Sequence, residues 1–486
     1  MWRRFGRLTL SGVLGVLLAL PSLCGTVAAH ELGADRFDAP IPLPALFLGA
    51  AATIALTAAW LGRSQATIPP SKRTLGAISG SAVRRLAVVG QLLFGALLVA
   101  VVFLGVVGRQ VGAENLATVF VWPVWLKGLG IVAILLGSPW RLLSPWRGVQ
   151  SLLERLEAGE LRLRPYPDRL GDWPAVVGFV LVVGILENLT VVPRSPTDTA
   201  GLVALYAALM VGGGVVFGTA WFRHADPIEV LYRQLARVAP VRATWTGDDG
   251  GRRIELRYPW QGCLLPVTSP GAVTFLVAMV YTVSFDGFTN TPEYQSLHFA
   301  LADSLGQGFH AALVLYLTGL LGFVATFLGA MRLVDALAES GARGTADAAG
   351  TAGPVDGERA MSSGGVTARA FAPTIVPIAA AYELAHNYPF VLENLARLVE
   401  LIIAAVGVTP PDVSLLGWLS VPAFWASQVV LIVLGHAIAV VAAHAVAVDR
   451  YESLPRARRA HLPLVVVMVG YTVLSLWIVS RPVVTG

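Results

Sequence analysis

Long apolar runs recur along nearly the whole chain, and they constrain this sequence more than any other feature. Runs of about 20 residues, the length that crosses a hydrocarbon core as a helix, occupy 41–62, 87–108, 116–137, 173–192, 199–222, 269–289, 308–331, 371–394, 420–447 and 462–481. Inside a bilayer every backbone N–H and C=O must find its partner within the protein, so such runs fold as helices. The expected fold class is therefore all-α: a polytopic transmembrane helical bundle of about ten mature spans. Residues 395–408, also apolar, read as a further half-span or an interfacial segment. Composition decides the one remaining question, since charged residues make up only 13% of the 486, about half the share of an ordinary soluble chain.

The loops between the runs set an orientation. Basic residues crowd into alternate loops: Arg63, Lys72, Arg73, Arg84 and Arg85 after the first run, Arg141 to Arg169 after the third, and Arg223 to Arg257 after the fifth. The loops after the seventh and ninth continue the pattern with Arg332, Arg343, Arg359, Arg369, Arg450, Arg456, Arg458 and Arg459. Short loops rich in Lys and Arg stay in the cytoplasm. The expectation is a protein of the plasma membrane with both mature termini extracytoplasmic. The net charge of +5 is thus a topology signal, and with no aromatic-plus-basic recognition motif it implies no nucleic-acid partner.

Residues 1–29 carry the marks of a secretory signal: Arg3, Arg4 and Arg7, a short apolar core at 8–20, then Val27-Ala28-Ala29. Cleavage there makes His30 the mature amino terminus, where its amine and imidazole together suit a copper ion. The remaining domains read as a seven-span membrane region at 30–337, a disordered linker at 338–365 rich in Ala, Gly and Ser, and a three-span region at 366–486. In the third basic loop, 241–258 alternates around Asp248-Asp249-Gly250-Gly251 and reads as a small cytoplasmic β-hairpin. The tandem Ser-Pro-Trp-Arg at 138–141 and 144–147 opens a Leu-rich amphipathic stretch expected on the inner surface, its Trp and Arg at headgroup level. The two cysteines, Cys24 and Cys263, are too far apart in sequence for a CxxC site.

Ionisable residues at membrane depth are costly, so their presence is a pointer to function. The run 371–394 is the densest case, with Glu383, His386 and Asn387 among prolines 373, 377 and 389. Glu383 and His386 are three residues apart, hence on one helical face, and Glu-x-x-His is a spacing that bundle proteins use to offer a carboxylate and an imidazole to one metal. Given the orientation, Glu187, Asp286, His310, Glu383 and His386 all fall in the outer half of their runs. Lys127, mid-run, is expected either to neutralise Glu187 or Glu383 as a buried pair or to snorkel. His436 and His444 are eight residues apart, about 12 Å along a helix, too far to share an ion. A lone His often just bonds a carbonyl of a neighbouring helix, the plainer reading for His310 and His444. No HExxH, Walker loop, GxSxG or dinucleotide fingerprint is present.

Several short patches give the chain a family likeness: His30-Glu31-Leu32-Gly33, Ser144-Pro145-Trp146-Arg147, and Tyr166-Pro167-Asp168-Arg169-Leu170-Gly171-Asp172-Trp173-Pro174. Ser284-Phe285-Asp286-Gly287, Val376-Pro377-Ile378-Ala379, Ala385-His386, Gly435-His436 and Ala443-His444 continue it. With these the sequence resembles the multi-pass membrane proteins labelled fenitrothion hydrolase. The resemblance implies hydrolysis of an organophosphate ester, and it marks Asp286, His386, His436 and His444 as positions to test. One departure is Phe371-Ala372-Pro373, where the family pattern implies Phe-Ala-His and hence another ligand.

Three functions follow as expectations. The first is a site of His386, Glu383, Asp286, Glu187, His310 and His436 that binds a transition metal (zinc, copper, iron or manganese) or another cation for transport or handling. The second places a metal-activated water at the same residues, acting on a lipophilic small-molecule ester that enters from the lipid bilayer. The third is a b-type haem between imidazoles such as His386 and His436 or His310.

Overall fold

The computed structural model describes residues 42–63, 72–246, 250–348, 365–411, 413–451 and 453–481. The signal region, Cys24 and His30 lie outside these. Helix α1 covers Leu43–Arg63, strand β1 Lys72–Ile78 and α2 Gly80–Val107. Helix α3, Leu116–Leu136, contains a π-helical stretch at Phe120–Gly128. The short amphipathic α4 is Pro145–Leu156; α5, Trp173–Leu189, contains a second π-helical stretch at Val180–Leu186. Then come α6 Pro196–Phe217, α7 Pro227–Leu235, β2 Val241–Trp245, β3 Arg252–Arg257 and α8 Pro270–Thr289. The chain continues with α9 Pro292–Leu305, α10 Gly308–Ala348, α11 Val376–Ala405, α12 Val421–Arg450 and α13 Leu454–Val479.

Among the described residues, eight helices are long and apolar enough to cross a bilayer: α1, α2, α3, α6, α8, α10, α12 and α13. The two other runs take different forms. Residues 173–189 make the shorter apolar α5, and α11 is a long helix carrying Glu383, His386, Glu393, Arg397 and Glu400. Helix α11 begins at Val376, after a 3₁₀ turn at Ala372–Ile375, and runs unbroken to Ala405. Pro377 therefore sits in its first turn, where a missing N–H costs nothing, and 395–405 is its last third, not a separate segment.

Burial sorts the helices into two classes. The apolar window of α8 is 78% buried and that of α3 67%, against 17% for α2 and 22% for α6 and α10. Helices α3 and α8 thus form the interior of the bundle, and α2, α6 and α10 present their apolar sides outward, toward lipid. Buried aromatic side chains fill the joint between α2, α3 and α6. Trp140 is fully buried, stacked on Trp125 at 5.5 Å between ring centroids and edge-on to Phe94 at 5.3 Å. The Trp140 indole donates to Asp226 Oδ2 at 3.0 Å. Trp146 is 3% exposed, so the two tryptophans expected at headgroup level lie inside the protein instead. The Trp140 N–H is met by Asp226, and both rings pack on Trp125, Trp146 also edge-on to Tyr206. The amphipathic expectation for α4 rests on Val149, Leu152 and Leu156, which are exposed.

The expected hairpin is part of a larger sheet. Strand β3 is central, antiparallel to β2 (Val241↔Leu256 to Trp245↔Arg252) and to β1 (Lys72↔Arg257 to Ile78↔Arg252). The β1 register shifts between Thr74 and Gly76, a bulge at a glycine. Two loops far apart in sequence are thereby joined at one end of the bundle, called the sheet end below. Helix α10 runs on to Ala348, so the first part of the expected linker is helical, and 349–364 lies outside the described residues.

Candidate functional site

Lys127, Glu187, Glu383, Asp286 and His386 converge inside the bundle from α3, α5, α11 and α8. Lys127 Nζ is 3.0 Å from Glu187 Oε1 and 4.0 Å from Glu383 Oε2. His386 Nε2 is 3.6 Å from Asp286 Oδ2. Glu383 faces the lysine and His386, one helical turn on, faces Asp286, as the spacing on one face of α11 requires. Asp286 also lies within electrostatic range of Lys127 and Glu187, so the five groups form one charged cluster. Its two halves differ in wetness: the Lys127, Glu187 and Glu383 side chains are 8%, 12% and 12% exposed, those of His386 and Asp286 25% and 22%. At 1.5 Å per residue, Lys127 stands about 13 Å, and Asp286 about 24 Å, from the sheet ends of their helices.

The backbone around this cluster is unusual in a way that serves it. Lys127 lies within the π-helical stretch of α3, and Glu187 directly follows that of α5. A π-helix is rare, and where it occurs it widens the helix and displaces carbonyls from their usual partners. Here those carbonyls find side chains. The Tyr232 hydroxyl, from α7, reaches Trp125 O at 2.5 Å and Leu126 O at 3.1 Å. In α5, Asn188 Nδ2 donates to Val183 O at 2.5 Å and Thr190 Oγ1 to Leu186 O at 2.7 Å. Pro123 removes one N–H from the α3 ladder. The π geometry thus turns Lys127 and Glu187 inward while the freed acceptors stay satisfied.

A cavity of ≈ 30 Å³ adjoins the cluster, lined by Lys127, Asn188, Thr282, Asp286 and Glu383 among apolar side chains. That volume holds a water or two, and in this conformation it is far below the several hundred Å³ that an organic ligand fills. The charges do not cancel. Three carboxylates face one lysine, so the cluster carries two excess negative charges with neutral His386 and one when His386 is protonated. An uncompensated buried charge is strongly unfavourable.

The other sequence candidates stand elsewhere. His310 is exposed, its ring against Phe309, and it does not join the cluster. His436 is 1% exposed; its Nδ1 bonds Ile432 O at 2.8 Å. His444 is buried with its ring 5.3 Å from that of His461, a partner that sequence reasoning missed because His461 follows a run of arginines at a span boundary. Among the described residues, no three His, Cys, Asp or Glu side chains are placed to hold one metal ion. The position a metal would need between Glu187 and Glu383 is occupied by the Lys127 ammonium, so the donor set does not fit a transition-metal centre.

A second polar group lies at the sheet end. Asp172 accepts a hydrogen bond from Ser269 Oγ, pairs with His224 Nδ1 at 2.9 Å and faces Arg233 at 3.7 Å. Tyr166 stacks on His224 and donates to Gly171 O at 2.8 Å. Burial pushes the Asp172 carboxyl up, but the bonds from His224 and Ser269 and the charge of Arg233 outweigh it and hold the carboxyl below its ordinary value. The patch Tyr166–Pro174 is therefore a joint between α5, α8 and the 219–235 region.

Comparisons with family models, with curated proteins and with solved structures found no match to this chain.

Proposed function

We propose that this protein is a multi-pass membrane transporter of about ten spans whose buried cluster takes up and releases protons or a small inorganic cation. The observation that carries this is the charge imbalance: Glu187, Glu383 and Asp286 share one buried lysine. Lys127 serves as a tethered counter-ion. While it pairs with Glu187 and approaches Glu383, the site is closed to a second cation. A proton arriving on one carboxylate, or an alkali cation beside it, loosens the lysine's hold and lets the surrounding helices re-pack. The small cavity supports this scale of cargo and not a bulky one. The wetter Asp286–His386 half is the side of access, and the drier Lys127 half the side of occlusion.

Orientation belongs to the same reading. The arginine-rich sheet end faces the cytoplasm of the cell that carries the protein in its plasma membrane. The joining of the 64–79 and 236–258 loops in one sheet supports this, because both loops are basic and both must lie on one side.

The deciding experiment is purified protein in liposomes with an internal pH dye and imposed gradients of H⁺, Na⁺ or K⁺. We expect ion movement well above that of empty liposomes, reduced at least tenfold by Glu187→Gln or Glu383→Gln. Fluxes indistinguishable from empty liposomes in all three gradients overturn the proposal.

A second reading, the ester hydrolase of the family resemblance, is favoured by one geometric feature: an imidazole 3.6 Å from a carboxylate at the wetter side, the pairing of a general base with its orienting group. Release of nitrophenol from an organophosphate ester by the pure protein, lost in Asp286→Asn, would support it. No turnover rejects it.

A further inference from the structure

The cavity beside the charged cluster has two unlike ends. Lys127, Asn188, Thr282, Asp286 and Glu383 give it one polar side, and its lining also includes Phe179, Leu231, Leu235, Met279 and Ala379. Helices α5, α8 and α11 all run away from the sheet end, so chain position gives depth. Along their axes Phe179 precedes Glu187 by about 12 Å, Met279 precedes Asp286 by about 10 Å, and Ala379 precedes Glu383 by about 6 Å. Each of these apolar side chains thus sits on the sheet side of the charge that its own helix carries. All five apolar residues are buried, between 1% and 8% exposed.

Leu231 and Leu235 come from α7, a helix of nine residues that is too short to span a bilayer. They are four apart, on one face, and the end of that face meets the cluster. A Cβ placed on Gly130 of α3 would stand 3.6 Å from Leu235 Cδ1, 3.8 Å from Tyr232 Cε1 and 4.0 Å from Glu383 Oε1. The last turn of α7 and the glutamate therefore meet over one bare glycine.

Side chains from other elements hold α7 at both ends. At its start, Asp226 Oδ1 accepts from Ile228 N–H at 2.9 Å and from Glu229 N–H at 3.0 Å. Glu229 Oε2 in turn accepts from Arg147 Nε at 2.9 Å. Just past its end, Arg257 of β3 donates to Ala236 O and Arg237 O, each at 2.9 Å, and to Ala239 O at 3.0 Å. Carbonyls that a helix terminus leaves open are thereby tied to the sheet.

We infer that Phe179, Leu231, Leu235, Met279 and Ala379 form an apolar gate on the sheet side of the charged cluster, opened by displacement of α7. The inference rests on the cluster reading above and supplies the seal that it needs, since a charged cavity open to both sides would be a pore. Apolar constrictions gate by excluding water. An ion leaving Glu383 toward the sheet end meets no group in this collar that could replace its hydration shell. Helices α5, α8 and α11 are packed along their length, whereas α7 can shift without unpacking a span. Its tie to Arg257 makes strand β3 the element that moves with it.

Thr282 lines the cavity about 4–5 Å beyond Met279 along α8, and a cysteine there reads the gate without any transport. In a background with Cys24→Ala and Cys263→Ala, Thr282→Cys is challenged with trimethylammonium-ethyl methanethiosulfonate in vesicles that expose the sheet end. Labelling of Thr74→Cys, at an exposed position of β1, identifies those vesicles. With the collar intact, Thr282→Cys should react at least a hundredfold more slowly than Thr74→Cys. Adding Leu235→Ala should accelerate it at least tenfold. Leu276→Ala removes an equally buried leucine of α8 that does not line the cavity, and it should leave the rate within twofold. Reaction as fast as that of Thr74→Cys with the collar intact overturns the gate. So does a rate that Leu235→Ala changes less than twofold, or an equal rise with Leu276→Ala, which would assign the effect to loosened packing. Should Leu235→Ala fail to fold, Leu231→Ala and Met279→Ala apply the same comparison. In the liposome assay Leu235→Ala should raise ion movement at least tenfold. Failure of the labelling prediction alone leaves the cluster reading standing. Absence of ion movement by both the wild type and Leu235→Ala removes the cluster reading and, with it, the collar's role as a gate.

Discussion

Lys127 shows how much a single residue determines here. It is one of two lysines in the sequence and is buried between two glutamates. Removing one partner of a buried pair leaves the other charge uncompensated, at a cost of about 3–5 kcal/mol. Lys127→Met should therefore lower stability by that order in detergent, and the double variant Lys127→Met/Glu187→Gln should recover most of the loss. Additive losses in the double-variant cycle would show that the pair is not coupled. Asp172 gives the corresponding pH prediction. Its folded carboxyl lies below the ordinary value, so its contribution is fully present above about pH 4 and fades as pH falls through the lower, folded value. Asp172→Asn should flatten the acid limb of a melting-temperature profile below pH 4 and leave no such slope to lose. The members of the cluster were legible in the sequence because Lys, Glu, Asp and His stand out in apolar runs. Tyr232 was not, since a tyrosine in a mostly apolar helix is unremarkable until its hydroxyl is seen tied to another helix.

At the scale of elements, the helices were readable and their irregularities were not. A run of apolar residues predicts a helix by length and hydropathy, but an α-helix and a π-helix need the same apolar residues, and nothing in Phe120–Gly128 or Val180–Leu186 announces the wider winding. Strand β1 escaped notice because Lys-Arg-Thr-Leu-Gly-Ala-Ile has no clean alternation and pairs with residues some 180 positions away. The continuous α11 escaped because its polar residues break the hydropathy signal without breaking the helix. The π stretch of α3 depends on one side chain from outside it, fully buried Tyr232. Tyr232→Phe keeps the ring and removes the donor to Leu126 O and to Trp125 O, the latter still bonded by the Leu129 N–H, a loss of about 1 kcal/mol. We expect a lower melting temperature and, because Lys127 sits on that stretch, weaker response of ion movement to Glu187→Gln. A variant as stable as the wild type would mean that the π segment supports itself.

For the whole molecule, the strongest constraint on orientation comes from the sheet that ties two basic loops together. Strand β1 lies between α1 and α2, and β2 and β3 lie between α7 and α8, so the ends of these four helices lie on one side wherever that sheet forms. From there α11 runs 30 residues, about 45 Å, to Ala405 at the opposite end. Arginine placement implies a direction, and pairing in the sheet supplies a check that does not depend on it. In a background with Cys24→Ala and Cys263→Ala, single cysteines at Thr74, Ala243 and Val408, all at or near exposed backbone, can be challenged with a membrane-impermeant maleimide. Right-side-out vesicles should label Val408→Cys alone, and inverted vesicles Thr74→Cys and Ala243→Cys together. Labelling of Thr74→Cys and Ala243→Cys from opposite faces would break the sheet and with it the packing of α5 and α8 around the cluster. Labelling of both from outside would keep the fold and reverse the orientation, moving the wetter Asp286–His386 half to the cytoplasmic side and the direction of proton access with it.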